Sequence, residues 1–312
     1  MIDAFGREIR YLRLSVTERC NLRCLYCSPA TTDGAELLTP DEIGNIVSIM
    51  VSYGVDKVRI TGGEPLIRRD LEQIIHRLSA IDGISDLPMT TNGVGLDARI
   101  SDLVKAGITR FNISLDTLDR DRYQQITGVD GLDSVLSAVD KGIAMGVDVK
   151  LNAVLIRGLN DGDVDGFLAY AKAHPVQVRF IELMPIGDYG EDNRDKVVES
   201  DEILARHPEL LPVGRSSGGV ATVYKGEGYL GSVGFISPIS HQFCHECNRI
   251  RLTADGRIRP CLGDNGETNL QPYLGDDAAL REAIHDGIYN KPRGHNFKDG
   301  FSSTRDMKHI GG

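Results

Sequence analysis

Between residues 10 and 183 the chain alternates short β-like runs with helical patterns, and this regular alternation is the strongest limit on what it can fold into. Apolar-rich runs at 9–16, 57–61, 87–91, 110–115, 148–154 and 177–183 are each followed by a turn and usually by residues at helical spacing. Repeated strand–helix units join parallel strands through right-handed crossovers, so a parallel sheet follows. Six units are too few for a closed ring of eight, and the expected fold is α/β, a partial (βα)6 barrel of parallel strands. The first helix has the clearest start: Thr39 as N-cap, Pro40 at the first helical position, and Glu42 three residues after the cap. Ile43, Ile46, Val47, Met50 and Val51 then recur at helical spacing, and Gly54 suits the position just past the helix end. Further helices are predicted over 70–81, 97–106, 132–145 and 161–173.

The pattern changes after Pro185. Residues 187–193 read as a loop, 200–206 as a helix, and 216–219 as a Ser/Gly linker-like stretch. Short strands follow at 220–224, 231–236, 250–253 and 258–260, with one helix over 276–287. This places a domain boundary near residue 215, dividing the chain into 1–215, the barrel, and 216–312, a smaller C-terminal α+β extension. The last stretch, 290–312, is polar and ends in Gly311-Gly312, which by itself reads as a frayed tail. The chain has 312 residues and a hydrophobic fraction of 41%, enough for a sizeable core. A net charge of −10 disfavours nucleic acid and anionic membrane as partners, since both need a basic face. The first residues lack the apolar run of a signal peptide, and no segment approaches 18 uninterrupted apolar residues, so a cytoplasmic location is expected.

All six cysteines fall into two triplets, Cys20/Cys24/Cys27 and Cys244/Cys247/Cys261. In a chain of this size such spacing favours metal or redox chemistry over disulfides. Three thiolates would fix three irons of a 4Fe–4S cube and leave the fourth open to a chelating small molecule, unlike the four-cysteine clusters of electron transfer. The first triplet follows the first strand, where active sites of such folds sit. A zinc site completed by a histidine stays open for it, as it does for the second triplet with His241 or His245. At the end of the second strand Gly62-Gly63 would let the backbone approach a ligand, and Glu64 could accept from an ammonium group; a plain strand-ending turn is the alternative.

Cys20-x3-Cys24-x-Tyr26-Cys27 resembles the signature of radical S-adenosylmethionine enzymes, and Thr61-Gly62-Gly63-Glu64-Pro65 resembles their GGE motif. Within that superfamily the chain is similar to the GTP 3′,8-cyclase family of molybdenum-cofactor biosynthesis along its whole length. The similarity is carried by Phe5-Gly6-Arg7, Tyr11 to Thr17, Arg59 to Leu66, Thr90-Thr91-Asn92-Gly93 and Asn112 to Asp116. Phe180 to Pro185, Phe243-Cys244, Cys247 to Thr253, Asp255-Gly256, Cys261-Leu262 and the terminal Gly-Gly complete it.

The resemblance implies two 4Fe–4S clusters, the first on Cys20, Cys24 and Cys27 and the second, carried by the C-terminal extension, on Cys244, Cys247 and Cys261. It implies S-adenosylmethionine contacts from Tyr26, Gly63, Glu64, Ser114 and Met184, and GTP contacts from Arg13, Arg59, Thr90, Lys150, Arg249 and Arg251. Arg13, Lys57, Arg179, Gly311 and Gly312 are the implied catalytic set, with the Gly-Gly tail entering the site. The basic residues also make sense unaided, because guanidinium forks suit a triphosphate. In the implied reaction a 5′-deoxyadenosyl radical takes the C3′ hydrogen of GTP, and C3′ closes onto C8 to give 3′,8-cyclo-7,8-dihydro-GTP. Cyclic pyranopterin monophosphate synthase would take the product, a reductant such as flavodoxin or ferredoxin would supply electrons, and a homodimer is admitted. Two features depart from the family: Ser28 stands where it usually has Met, and the loop 28–36 is short. A radical enzyme acting on a peptide and a non-enzymatic metal module are the competing readings. The Asn248 to Arg251 run and the Gly-Gly end speak against the first.

Overall fold

The structure is a computed structural model that describes residues 1–27, 36–215, 219–297 and 300–311. Ser28 and the short loop after it, the stretch from Ser216, and Gly312 thus lie outside the described residues. Twelve strands form one sheet among the described residues. In chain order they are β1 (Tyr11–Ser15), β2 (Lys57–Thr61), β3 (Met89–Thr91), β4 (Arg110–Ser114), β5 (Asp148–Leu155), β6 (Gln177–Glu182), β7 (Leu211–Gly214), β8 (Thr222–Lys225), β9 (Ser232–Ile236), β10 (Arg249–Leu252), β11 (Arg257–Arg259) and β12 (Thr268–Asn269). Their spatial order is β12-β11-β10-β1-β2-β3-β4-β5-β6-β9-β8-β7. From β10 through β1 to β6 and on to β9 every neighbour is parallel, while β11, β12, β7 and β8 add antiparallel edges. The helices are α1 (Pro40–Ser52), α2 (Leu71–Ser79), α3 (Leu96–Ala106), α4 (Arg120–Thr127), α5 (Leu132–Ala144), α6 (Val164–Ala173), α7 (Gly187–Asp192), α8 (Ser200–Arg206) and α9 (Asp277–Tyr289).

The expected strands and helices occur with ends moved by a few residues, and α1 starts as its cap predicts. Thr39 and Glu42 satisfy each other's backbone N–H groups in a capping box, and Gly54 past the end takes φ 99°. Four elements differ from expectation, among them β12, whose two residues are too short to read as a strand. Residues 187–193, read as a loop, contain α7, a polar GDYGED turn and a half with no apolar period to announce it. The α4 helix, RDRYQQIT, buries only Tyr123, Ile126 and Thr127, too few for a periodic signal, although Asp119 caps it and Gly128 ends it in the left-handed region. The β7 strand, LPVG, is an exposed edge.

Successive side chains on a strand point to opposite faces. One face of the parallel strands carries Leu12, Leu14, Val58, Ile60, Met89, Phe111, Ile113, Val149, Leu151, Val178, Phe180, Ile250 and Leu252, all buried. They form one core with Ile46, Met50, Ile74, Leu78, Ile100, Leu103, Val135, Val139 and Phe167 of the helices. The register then places Tyr11, Arg13 and Ser15 of β1 beside Lys57, Arg59 and Thr61 of β2, with Thr90, Asn112, Lys150, Asn152, Arg179, Arg249 and Arg251 following on that same opposite face. A parallel sheet covered by helices on both sides reads as continuous apolar runs. Here each strand alternates, so the second face encloses polar groups. Among the described residues no helix is long and apolar enough to cross a membrane. Phe111 lies fully buried on the central strand β4. Phe111→Ala should therefore lower unfolding free energy by about 3–5 kcal/mol in a denaturant titration, and a loss below about 1 kcal/mol would contradict the core assignment.

Candidate active site

The two thiol triplets stand at opposite ends of the same strands. Cys20, Cys24 and Cys27 follow the C-terminal end of β1. Cys247 precedes the N-terminal end of β10, which runs parallel to β1 with Tyr11 opposite Arg249 and Arg13 opposite Arg251. A five-residue strand spans about 16 Å, so a nucleotide-sized space separates the ends.

The loop to the first triplet is held by the end of β2. A Cβ on Gly63 would lie 2.2 Å from the Arg19 carbonyl oxygen, and one on Gly62 would lie 2.5 Å from that of Thr17. Glycine is therefore required for the close approach of the two loops. Glu64 is fully buried, and burial raises its carboxyl pKa to about 7 against hydrogen bonds from Asn92 N (2.6 Å), Leu66 N (3.0 Å) and Thr91 Oγ1 (2.7 Å). Its oxygens thus brace the ends of β2 and β3. Tyr26 donates to Asp116 Oδ2 at 2.6 Å, and Asp116 Oδ1 accepts from Val154 N at 2.8 Å. Asp116 links the triplet loop to β5 and was visible in sequence only as the end of the Asn112 to Asp116 motif. Burial raises all three thiols, Cys27 to about 12, and the three thiols repel one another's negative charge. Leu22 N and Asn92 Nδ2 point at Cys20 Sγ from 3.4 and 3.8 Å. Three thiols with N–H donors on sulfur suit an iron–sulfur cube. Gly63, Ser114 and Met184 lie at or just past the C-terminal ends of β2, β4 and β6, the same end as this triplet.

Around the second triplet the supports are cationic. Arg7 donates to the carbonyls of Cys244 (2.9 Å), Arg293 (3.0 Å), Lys291 (3.3 Å) and Pro292 (2.6 Å), and pairs with Asp3. Lys291, 2% exposed, donates to the carbonyl of Pro260, next to Cys261, at 2.5 Å. Neither residue is flagged by a cysteine-centred reading, because both act from distant segments. Burial raises the Cys247 thiol, but Lys291, Arg249 and Arg251 outweigh it and bring it to about 7; a hydrogen bond with His295 lowers Cys244. His241 and His245, the candidates for completing a zinc site, face Asp201 and Glu246 instead, at 3.5 and 3.4 Å. Among the described residues no three His, Cys, Asp or Glu side chains converge as a mononuclear metal site would need.

Between the triplets lies the cationic face. Lys57 Nζ, Arg59 and Arg249 lie 4.8, 5.6 and 5.9 Å from the Tyr11 ring centre. Burial raises the Tyr11 phenol, yet Arg59, Arg13, Arg249 and Lys57 together bring it down to about 8. Arg59 Nη1 donates to Thr90 Oγ1 at 3.3 Å. Lys57 pairs with Asp86 (3.1 Å) and Lys150 with Asp148 (3.2 Å), so their charges are compensated. Arg59, Arg179 and Arg251 have no carboxylate partner among the described residues, and Arg59 Nε, Arg251 Nε and Asn152 Oδ1 are buried without a hydrogen bond. Burial lowers Arg13 to about 9 and Arg179 and Arg251 to about 10. Uncompensated buried guanidinium groups are costly, and an anionic ligand removes that cost. Gly311, from the far end of the chain, enters this face: its carbonyl accepts from Arg13 Nη2 at 2.9 Å and Thr61 Oγ1 at 3.2 Å.

The thiolate, not the thiol, is alkylated. In metal-free protein at pH 7.5, iodoacetamide should therefore modify Cys247, above its pKa of about 7, before Cys27, far below its pKa of about 12. Peptide mass spectrometry over time reads the order; Cys27 reacting first would refute the electrostatic contrast.

Residues 14–171 match the Radical SAM superfamily, and residues 176–297 match Molybdenum Cofactor Synthesis C. The GTP 3′,8-cyclase of Clostridium botulinum strain Hall is 41% identical over 319 residues, covering 100% of both chains. Those of Alkaliphilus oremlandii and Pelotomaculum thermopropionicum are each 42% identical, again over 100% of both chains. Among solved structures, Streptococcus suis SuiB bound to S-adenosylmethionine superposes with a TM-score of 0.64 at 14% identity, covering 91% of this chain and 68% of that one. The anSMEcpe enzyme with bound AdoMet gives 0.57 at 13% identity, over 94% and 83%; both likenesses concern the fold. The thiol triplet after β1, the glycine pair after β2 and full-length similarity agree: this chain belongs to the GTP 3′,8-cyclase family of radical S-adenosylmethionine enzymes, which serve molybdenum-cofactor biosynthesis.

Proposed function

We propose that this enzyme binds GTP on the cationic face between two 4Fe–4S clusters, inside a partial barrel made by β1 to β6, and converts it to 3′,8-cyclo-7,8-dihydro-GTP. One observation carries the reading: buried Arg59 and Arg251 and half-buried Arg179, lacking carboxylate partners among the described residues, lie between two cysteine triplets at opposite strand ends. Cys20, Cys24 and Cys27 would hold the cluster that binds S-adenosylmethionine, and Cys244, Cys247 and Cys261 the cluster that faces the guanine. When bound, the first cluster and S-adenosylmethionine supply the 5′-deoxyadenosyl radical that takes the C3′ hydrogen.

The chain's own residues position and shield. Arg13, Arg59, Arg249 and Arg251, with Thr90 and Lys150, would clamp the triphosphate and base. Lys57 and Arg179 complete the positive field, which holds the polyanion against water without charge from the acidic exterior. Gly63, Ser114, Met184 and Tyr26 would frame S-adenosylmethionine at the first triplet. Glu64, already braced by three donors, would meet its ammonium group through the remaining acceptor capacity. The Gly311 carbonyl on Arg13, with Gly312, would fix that guanidinium toward the ribose. The C-terminal extension, 216–312 as read from sequence, would supply the base-binding half. A cytoplasmic setting, a flavodoxin- or ferredoxin-type reductant, cyclic pyranopterin monophosphate synthase downstream and a homodimer belong to the same proposal.

Anaerobically reconstituted protein should carry about eight irons and eight sulfides per chain. With reductant, S-adenosylmethionine and GTP it should form 5′-deoxyadenosine and the cyclised nucleotide together. Deoxyadenosine without a GTP product would sink the substrate assignment, and zinc without sulfide would sink the whole reading. Removing one charge-assisted contact costs about 1.5–3 kcal/mol, so Arg251→Ala should lower kcat/KM for GTP about 10- to 100-fold while iron content holds.

A further inference from the structure

Beyond α9 the chain returns to the polar face and ends with Gly311 on Arg13 and Thr61. Six residues earlier, Arg305 meets three carboxylates from three separate segments. Its Nη2 and Nη1 donate to Asp255 Oδ2 and Oδ1 at 2.8 and 3.3 Å, its Nε stands 3.1 Å from Glu267 Oε1, and its Nη1 lies 3.8 Å from Glu18 Oε1. Asp255 occupies the turn between β10 and β11, Glu267 immediately precedes β12, and Glu18 lies between β1 and Cys20. The four side chains are only 20, 17, 13 and 12% exposed, which sets this group apart from a solvated surface pair.

The three acids are not equally dependent on Arg305. Asp255 also accepts from Arg257 at 3.1 Å, and Glu267 from Arg259 at 3.1 Å. Glu18 pairs, among the described residues, with Arg305 and lies 3.9 Å from the ring of His309, whose pKa burial lowers, and both belong to the tail. The tail therefore adds a side-chain tie between the loop leading to the first thiol triplet and the β10–β11 turn, which lie at the same end of the parallel pair β1 and β10. Neighbouring tail contacts run to other segments: Ser303 N to Glu191, Thr304 N to Asn265, and Arg194 to the carbonyl of Phe301. None of these reaches the first-triplet loop. A backbone slip of one residue at Arg305 would carry the Gly311 carbonyl away from Arg13, since Ile310 is buried and Gly311 sits 3.1 Å (by its Cβ position) from Thr61 Cγ2.

We propose that Arg305 is a positioning residue for the reaction: its clamp on Asp255, Glu267 and Glu18 sets the register of the tail that places the Gly311 carbonyl on Arg13. The clamp acts through the tail and touches neither substrate nor cofactor, and it rests on the cyclase reading above. A bidentate fork is what distinguishes it from a point charge, so lysine at this position keeps the charge and loses the register.

The test uses the full reconstituted chain with Arg305→Met, Arg305→Lys and Glu18→Gln. Hydrogen exchange of the backbone at 300–311, iron per chain, and the ratio of 5′-deoxyadenosine to cyclised nucleotide are read together. The expected result for Arg305→Met is faster exchange confined to the tail, unchanged iron, and a deoxyadenosine-to-product ratio raised roughly tenfold, the equivalent of one lost charge-assisted contact. Arg305→Lys should fall between it and the parent, and Glu18→Gln, which leaves two anchors, should loosen the tail less. Unchanged tail exchange in both Arg305 variants overturns the clamp. Faster exchange with an unchanged ratio overturns the positioning role and leaves a stabilising contact alone. A parent protein that makes no cyclised nucleotide overturns the cyclase reading instead, while the exchange measurements still decide the clamp.

Discussion

Everything in this molecule depends on burying guanidinium groups inside a parallel sheet. Arg59 and Arg251 are 6% and 8% exposed, and Arg13 lies between them on β1. Taking such groups out of water costs several kcal/mol each unless opposite charge meets them. The fold does not supply that charge to Arg59 or Arg251 from the described carboxylates, though it does so for Lys57, Arg110 and Lys150 nearby through Asp86 and Asp148. The expense is met by the opposite face of the same strands, where Leu12, Leu14, Ile60, Phe111, Ile113, Ile250 and Leu252 are fully buried against helices. Stability comes from one side of the sheet and binding capacity is held on the other. The lowered phenol of Tyr11 reports the same field, since a tyrosine at about 8 needs several cations around it to overcome its own burial.

Much of this could be read from the sequence, and the reasons differ by element. The cysteine triplets, Gly62-Gly63 and the strand–helix rhythm are local patterns, so they survive without three-dimensional information. The cap of α1 is local too, and it forms as spelled. The polar face was also written in the strands: YLRLS, KVRIT, RFNIS and RIRL alternate where a sheet covered on both sides would not. What could not be read is long-range. Arg7 reaches the carbonyls of Cys244 and 291–293 across more than two hundred residues, and Asp116 meets Tyr26 across ninety. Nor does any local pattern say that β10 pairs with β1, which is what sets Arg251 beside Arg13. The α4 and α7 helices were missed for the opposite reason, because they bury too little to leave a period.

The pairing of β10 with β1 also decides how the site must assemble. The strand β1 has two neighbours: β2, about forty residues on, and β10, more than two hundred residues on. Parallel pairing over such a separation is slow to form, because loop closure precedes any gain from contact. Until β10 docks, β1 is an edge strand bearing Tyr11, Arg13 and Ser15, and the cations of β2 have a wall on one side only. The tail that brings the Gly311 carbonyl to Arg13 leans on Asp255 of the β10–β11 turn and on Glu267 just before β12. Connectivity thus makes the β10 pairing and the tail contacts depend on far greater sequence separations than those that join β1 to β6. The tail covers the cationic face by setting the Gly311 carbonyl on Arg13 and Thr61, so that cover holds only where β1 and β2 are in register and Asp255 and Glu267 are in place to anchor Arg305.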